Sequence, residues 1–202
     1  MRIDLKKELR RIYAPSMKDV TIIDVPKMNF LMIDGMGDPN TSPEYKNAVE
    51  ALFSLSYAIK FMIKNEKIID YSVMPLEGLW WMDNMMRFSA ESKNEWKWTS
   101  MIMQPEYVNK EILNKALEKT RKKNLPVLSK IRFEAFSEGL SAQIMYIGSF
   151  SAEGPTITRI HNFIKEQGYK LSGKHHEIYL SDPSKSAPEK TKTVLRQPIS
   201  PR

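Results

Sequence analysis

The run His175-His176-Glu177-Ile178-Tyr179-Leu180 sets a carboxylate and a phenol two positions apart in β-prone sequence. Side chains alternate between faces along a strand, so His175, Glu177 and Tyr179 share one face and Ile178 and Leu180 the other. The apolar pair is expected to lie under helices, with the acid and the hydroxyl on the open side. A second acid, Glu77, opens Glu77-Gly78-Leu79-Trp80-Trp81 just after Pro75. Trp96 and Trp98 fall together on one strand face, also expected to be the side without helices. An acid beside indole walls suits a flat or cationic organic ligand through stacking, cation–π attraction and one ionic anchor. Such walls also desolvate an acid and prepare it for proton transfer near neutrality. The residues alone leave both uses open.

Tyr146, inside Gln143-Ile144-Met145-Tyr146-Ile147-Gly148, supplies another hydroxyl. Met74, Met82, Met85, Met86, Met101, Met103 and Met145 are adaptable apolar filler that would make a pocket tolerant of varied ligands. Each candidate also has a packing role open to it. The tryptophans can be core, Glu177 an exposed edge residue, Tyr146 a buried tyrosine with one satisfied hydroxyl, and His161 a helix residue near the core. His175-His176 stands too isolated for metal binding.

Composition removes whole classes of chemistry. The 202 residues contain no cysteine, which excludes disulfides, thiolate catalysis and zinc–cysteine sites. With three histidines, no transition-metal site is expected, and no cofactor is expected either. No Gly-x-Gly-x-x-Gly follows a strand, and neither a Gly-x-x-x-x-Gly-Lys phosphate loop nor a Gly-x-Ser-x-Gly elbow is present. No apolar run approaches the roughly 18–20 residues that cross a bilayer, and the N-terminus lacks the apolar segment of a signal peptide. A cytoplasmic protein without membrane contact is expected. The net charge of +7 sits at the ends: residues 1–20 carry six Lys/Arg against three Asp/Glu, residues 183–202 five against one. A nucleic-acid binder needs a coherent basic face, so nucleic acid is not the expected partner. The internal run Lys119-Thr120-Arg121-Lys122-Lys123 reads as a solvated helix end, where cations complement the helix dipole. The charged ends leave room for a protein partner.

The elements that must position these groups occur twice. Val20–Val25, Asn29–Asp34, Gly35 and a helix over Pro43–Lys64 are followed, later in the chain, by Ile131–Phe136, Leu140–Ile147, Gly148 and a helix over Pro155–Gln167. Extended sequence follows each helix, at Asp70–Leu76 and Trp96–Met103 and again at His175–Leu180 and Thr193–Pro198. The two opening runs of each half are joined tightly enough to pair as a hairpin. Ser42 is placed as an N-cap with Pro43 at the first helical position, and Tyr45, Val49, Leu52, Phe53, Ser56, Ile59 and Ile63 form the buried stripe. The expected organisation is a basic arm over 1–19 with a partial helical stripe at 3–13, then one domain over 20–202. That domain comprises repeats at 20–108 and 131–202 joined by a helix near 109–125. The fold class is α+β, with two strand-helix-strand-strand modules in pseudo-twofold arrangement. An antiparallel sheet carries helices on one face and a ligand cleft on the other, at the seam between halves.

Several segments together resemble the GyrI-like small-molecule-binding superfamily: Val25–Gly35, Gly37–Asn40, Val73–Trp81, Gln143–Gly148, Glu153–Pro155, His176–Pro183 and Leu195–Pro198. Within it the chain looks most like the stand-alone branch that includes cyclopropanoid cyclopropyl hydrolases. The resemblance spans essentially the whole chain and implies a central cleft for hydrophobic, often aromatic or cationic compounds. It implies a glutamate at Glu177 acting as base, a hydroxyl partner at Tyr146 or Tyr179, and walls from Trp80, Trp81 and Trp98. Glu77, Trp96, Met74 and Met145 complete the expected lining. The implied activity is hydrolysis of strained electrophilic cyclopropane-type xenobiotics, a detoxifying role. Non-catalytic drug sequestration and a gyrase-type protein-interaction module are the alternatives. Room for a helix-turn-helix before Val20 is lacking, which disfavours a one-chain regulator.

Overall fold

The structure, a computed structural model, describes residues 2–84, 90–182 and 185–202. Met85, Met86 and Pro183, singled out above, lie outside the described residues. The protein is an α+β fold of antiparallel sheet and few helices. Two compact units divide the chain: Met1–Glu8, Met28–Leu76 and Trp81–Phe136 form the first, and Leu9–Lys27, Glu77–Trp80 and Ser137–Arg202 the second.

In the first unit, β1 (Arg2–Ile3) runs parallel to β4 (Asp70–Tyr71). A short helix α1 (Leu5–Glu8) follows β1. Strand β3 (Met28–Met36) lies between β6 (Lys97–Gln104) and β7 (Arg132–Phe136), antiparallel to both. Helix α3 (Pro43–Asn65) begins where the sequence says it must: the Ser42 hydroxyl accepts from the Tyr45 amide at 3.3 Å and Pro43 takes the first turn. Its buried stripe is Ala48, Ala51, Leu52, Leu55, Ser56, Ile59 and Ile63. Tyr45, Val49 and Phe53, expected in that stripe, sit at its margin. Helix α4 (Lys110–Arg121), capped by Asn109, buries Ile112, Ala116 and Thr120 and packs on α3. Lys119, Arg121, Lys122 and Lys123 are exposed at its end, as a solvated terminus requires.

In the second unit, α2 (Arg10–Tyr13) precedes β2 (Thr21–Val25). The sheet runs β2, β8 (Gly139–Ile147), β11 (Lys192–Pro201), β10 (His175–Tyr179), β5 (Leu76–Trp81), with β9 (Tyr169–Leu171) paired to the far end of β11. Helix α5 (Gly154–Glu166) lays Ile160 and Ile164 on Ala142, Ile144, Leu195 and Ile199. No helix among the described residues is long and apolar enough to cross a membrane.

The expected hairpins do not form. Strand β2 pairs with β8, from Thr21↔Gln143 to Val25↔Gly139, and β7 pairs with β3, from Met28↔Phe136 to Met32↔Arg132. Strand β2 is thus paired with a strand far later in the chain, and β7 with one far earlier. Between β2 and β3 the reason is local: a two-residue hairpin link of the favoured kind needs positive φ at its centre, and Pro26 is held near −65°. The chain cannot reverse there, so it runs on. The N-terminal stripe expected at 3–13 likewise divides into β1, α1 and α2.

Candidate functional site

Register settles which side chains of the second unit share a face. Across β8, β11 and β10 the rows are Tyr146–Thr193–Tyr179, Met145–Val194–Ile178, Ile144–Leu195–Glu177 and Gln143–Arg196–His176. Alternate rows point to opposite faces. Ile144 and Leu195 lie under Ile160 and Ile164 of α5, so Glu177, Tyr179, Tyr146 and Thr193 lie on the helix side. This corrects the expectation that the acid and hydroxyl face away from helices: Ile178, not Glu177, is on the side without α5. Isolated alternation shows which residues share a face but not which face the helix takes.

On the α5 side the groups are close-set. The indole Nε1 of Trp80 donates to the Tyr179 hydroxyl oxygen at 2.9 Å, and Phe150 meets the Tyr179 ring edge-on at 5.6 Å. Gly78 makes that contact possible, because a Cβ there would come within 2.6 Å of Trp80 Nε1 and 3.1 Å of the Tyr179 oxygen. We expect Gly78→Ala to push the two rings apart and lower unfolding free energy by about 1–3 kcal/mol, read by denaturant titration. Glu177 is 8% exposed, and its Oε1 lies 3.2 Å from His175 Nε2, without the alignment of a hydrogen bond. Burial, then the neighbouring His175, lowers the pKa of His161 on α5. Thr193 Oγ1 is buried with no partner among the described residues, in register between the two tyrosines. Tyr146 is committed elsewhere: its hydroxyl donates to the Ser149 carbonyl at 2.9 Å, and burial followed by the Glu153 charge raises its pKa.

The opposite face carries a chain of buried polar groups that sequence reasoning missed. The Tyr13 hydroxyl donates to Glu77 Oε1 at 2.8 Å, and His176 Nε2 donates to Glu77 Oε2 at 3.0 Å. His176 Nδ1 donates to Glu138 at 2.8 Å, and Arg196 Nη1 meets Glu138 Oε2 at 2.9 Å. Arg196 also donates through Nε to Gln143 Oε1 and through Nη2 to the Ile12 carbonyl, while Gln143 Nε2 donates to the Arg11 carbonyl. Glu77, His176 and Glu138 side chains are at most 2% exposed and Arg196 is fully buried. Two carboxylates thus face one arginine and one imidazole, and charge balances only while the imidazole is protonated. Glu77, expected with Glu177, belongs to this chain instead. The histidine judged isolated is held by two acids on opposite sides of its ring, an arrangement of hydrogen bonds with no common point for a cation. Among the described residues no cluster of His, Asp and Glu is set to hold a metal.

Burial alone would push His176 down, but the Glu138 charge and hydrogen bond, with the bond to Glu77, outweigh it and raise the pKa to about 8. Burial likewise works to raise Glu138, yet His176 and then Arg196 bring it down to about 2. Burial and the Glu77 charge hold the Tyr13 phenol well above its ordinary range. Because the imidazole pKa rises on folding from 6.5 to about 8, its stabilisation is complete below pH 6.5 and is lost as pH climbs through 8. A loss of about 2 kcal/mol is expected, measurable by urea unfolding between pH 6 and 9. Glu138 sets the acid side, its contribution fading as pH falls from 4.5 through 2.

The remaining candidates lie in the first unit or apart from both groups. Trp98 is fully buried, edge-on to Tyr45 of α3 at 5.1 Å and laid against Gly35, where a Cβ would meet its ring at 2.3 Å. It is core on the helix side, not a wall on the open side, and its Nε1 has no partner among the described residues. Trp96 is partly exposed just before β6, with Lys93 Nζ 5.6 Å from its ring. Trp81 is half-buried at the end of β5, and Met74 is buried. Met145 is buried on the second unit's polar-chain face. A groove of about 450 Å³ beside α5 is lined by Asp19, Pro155, Arg159 and Phe163, and another of about 410 Å³ by Arg121, Leu125 and Leu128. None of the nominated side chains lines either.

Comparison with known proteins identifies the family. The model of the GyrI-like small molecule binding domain matches residues 18–199. A conserved protein from Listeria innocua is 42% identical, with a TM-score of 0.91 over 98% of this chain and 100% of that one. A hydrolase from Listeria innocua is also 42% identical, with a TM-score of 0.88 over 99% of this chain and all of the other. The C-terminal domain of EcmrR shares the fold alone, at 10% identity and a TM-score of 0.58 over 91% of this chain and 98% of that one. No curated protein matches. By a family match that covers nearly all its length, the chain belongs to the GyrI-like small-molecule-binding family.

Proposed function

We propose that this GyrI-like protein binds small hydrophobic or aromatic compounds and hydrolyses strained, electrophilic cyclopropanes among them, which would detoxify such compounds. The observation that carries the reading is the grouping of Glu177, Tyr179 and Trp80 on one sheet face, in a chain 42% identical to a hydrolase over its whole length. Glu177 suits the base. Its carboxylate makes no hydrogen bond among the described residues and its side chain keeps 11% exposure, whereas both oxygens of Glu77 are occupied. Tyr179 suits the acid because it lies on the face of Glu177 and its oxygen already accepts from the Trp80 indole N–H.

In the reaction, Glu177 takes a proton from water as the water oxygen bonds to a ring carbon. The cyclopropane C–C bond breaks, and its electron pair goes to the carbon stabilised by the electron-withdrawing substituent. Tyr179 protonates that carbon, and the Trp80 indole N–H holds the charge left on the phenol oxygen. Proton return from Glu177 to Tyr179 restores the enzyme. The test is incubation with an aryl-substituted, acceptor-activated cyclopropane, with the water adduct followed by mass spectrometry. Enzyme-dependent adduct supports the reading. Saturable tryptophan quenching without product would leave a binding protein and remove the hydrolase.

A further inference from the structure

Helix α3 carries on its outer side a ladder of aromatic rings that its own unit covers only in part, with Phe53 half-buried and Lys60 Nζ 4.9 Å from the Phe61 ring. Phe53, Tyr57 and Phe61 follow at four-residue spacing, with centroids 6.4 and 6.3 Å apart and planes inclined at 31° and 27°. Tyr57 is 48% exposed and Phe61 47%. Single exposed apolar residues are ordinary; a continuous stacked stripe on one helix is not. The buried face of α3 is complete without Tyr57 and Phe61, so these two rings are surplus to packing within the first unit.

We propose that a second copy of this chain covers the stripe, α3 packing antiparallel on α3 about a twofold axis at Tyr57. The charges flanking the rings choose the occupant and its direction. Glu50 and Lys64 lie seven residues either side of Tyr57, and both are exposed on the same stripe as the rings. A twofold crossing at Tyr57 sets residue i against the residue whose number makes the pair symmetric about 57. Phe53 then meets Phe61 of the second copy, and Glu50 meets Lys64, twice over by symmetry. Lys64 is already 3.2 Å from Asp70, so Glu50 would join an existing ion pair. A parallel pairing would set Lys64 against Lys64 and Glu50 against Glu50. In the antiparallel pairing the two Lys64 residues are about 20 Å apart, at 1.5 Å per residue, well beyond the roughly 8 Å screening length at physiological salt. The stripe is self-complementary in one direction only.

Sedimentation equilibrium of the intact protein from micromolar to near-millimolar concentration tests the proposal. A reversible dimer is expected. Tyr57→Glu and Glu50→Lys should each weaken it about tenfold or more, and both positions are exposed, so circular dichroism should show an unchanged fold. Lys64→Glu alone should also weaken it, and Glu50→Lys with Lys64→Glu should recover association. A protein monomeric throughout, a dimer indifferent to Tyr57→Glu, or a charge swap that fails to recover association would each overturn the proposal.

Discussion

An Arg196→Met variant is expected to lose about 3–5 kcal/mol of unfolding free energy at pH 7, the cost of leaving a buried charge without its partner. Arg196 is fully buried and makes three kinds of contact: to Glu138, to Gln143 and to the Ile12 carbonyl. Methionine fills a similar volume but leaves the carboxylates of Glu77 and Glu138 with only the imidazole between them. Two consequences separate this from simple loss of packing. The imidazole of His176 loses a neighbouring cation, which now works to lower its pKa, so the pH at which stability falls should move upward. The segment around Ile12, held by the guanidinium and by Gln143, should gain amide exchange before global unfolding. Equilibrium unfolding in urea at several pH values, with hydrogen exchange at residues 9–16, reads both. A loss below about 1 kcal/mol with an unmoved pH profile would mean the network is not held by charge.

On the mechanism proposed above, Glu177→Gln is expected to lower ring-opening turnover by about 10²–10⁴-fold, the usual contribution of a positioned general base. Tryptophan quenching by ligand should be retained. The substitution is nearly isosteric, and Glu177 engages only His175 among the described residues, at 3.2 Å and out of line. The fold has little to lose. Turnover unchanged in this variant would remove Glu177 as the base. Tyr179→Phe discriminates further: it deletes the oxygen that accepts from Trp80 Nε1 and should reduce turnover, whereas Tyr146→Phe, which breaks only the bond to Ser149, should not.

The elements were legible along the chain. Helix α3 was expected over 43–64 and spans Pro43–Asn65, and α5 and β10 lie within a residue or so of their expected bounds. Caps, proline positions and apolar periodicities are read within a few neighbouring residues, and those neighbours travel with the sequence. The alternation that grouped His175, Glu177 and Tyr179 on one face also held. The ordered segments from Val25–Gly35 through Val73–Trp81 and His176–Pro183 to Leu195–Pro198 were enough to indicate the family.

Partnership was another matter. That β2 turns to β8, that Glu177 lies on the α5 side and that Trp98 is sealed beneath Tyr45 all depend on which surfaces meet at long range. The polar chain shows this most sharply: Tyr13 reaches Glu77 across 64 positions and Glu77 reaches His176 across 99. No periodicity marks such residues, because each sits in a locally ordinary context. Their pairing arises only when folding removes water, since a buried carboxylate must then find a cation or a donor.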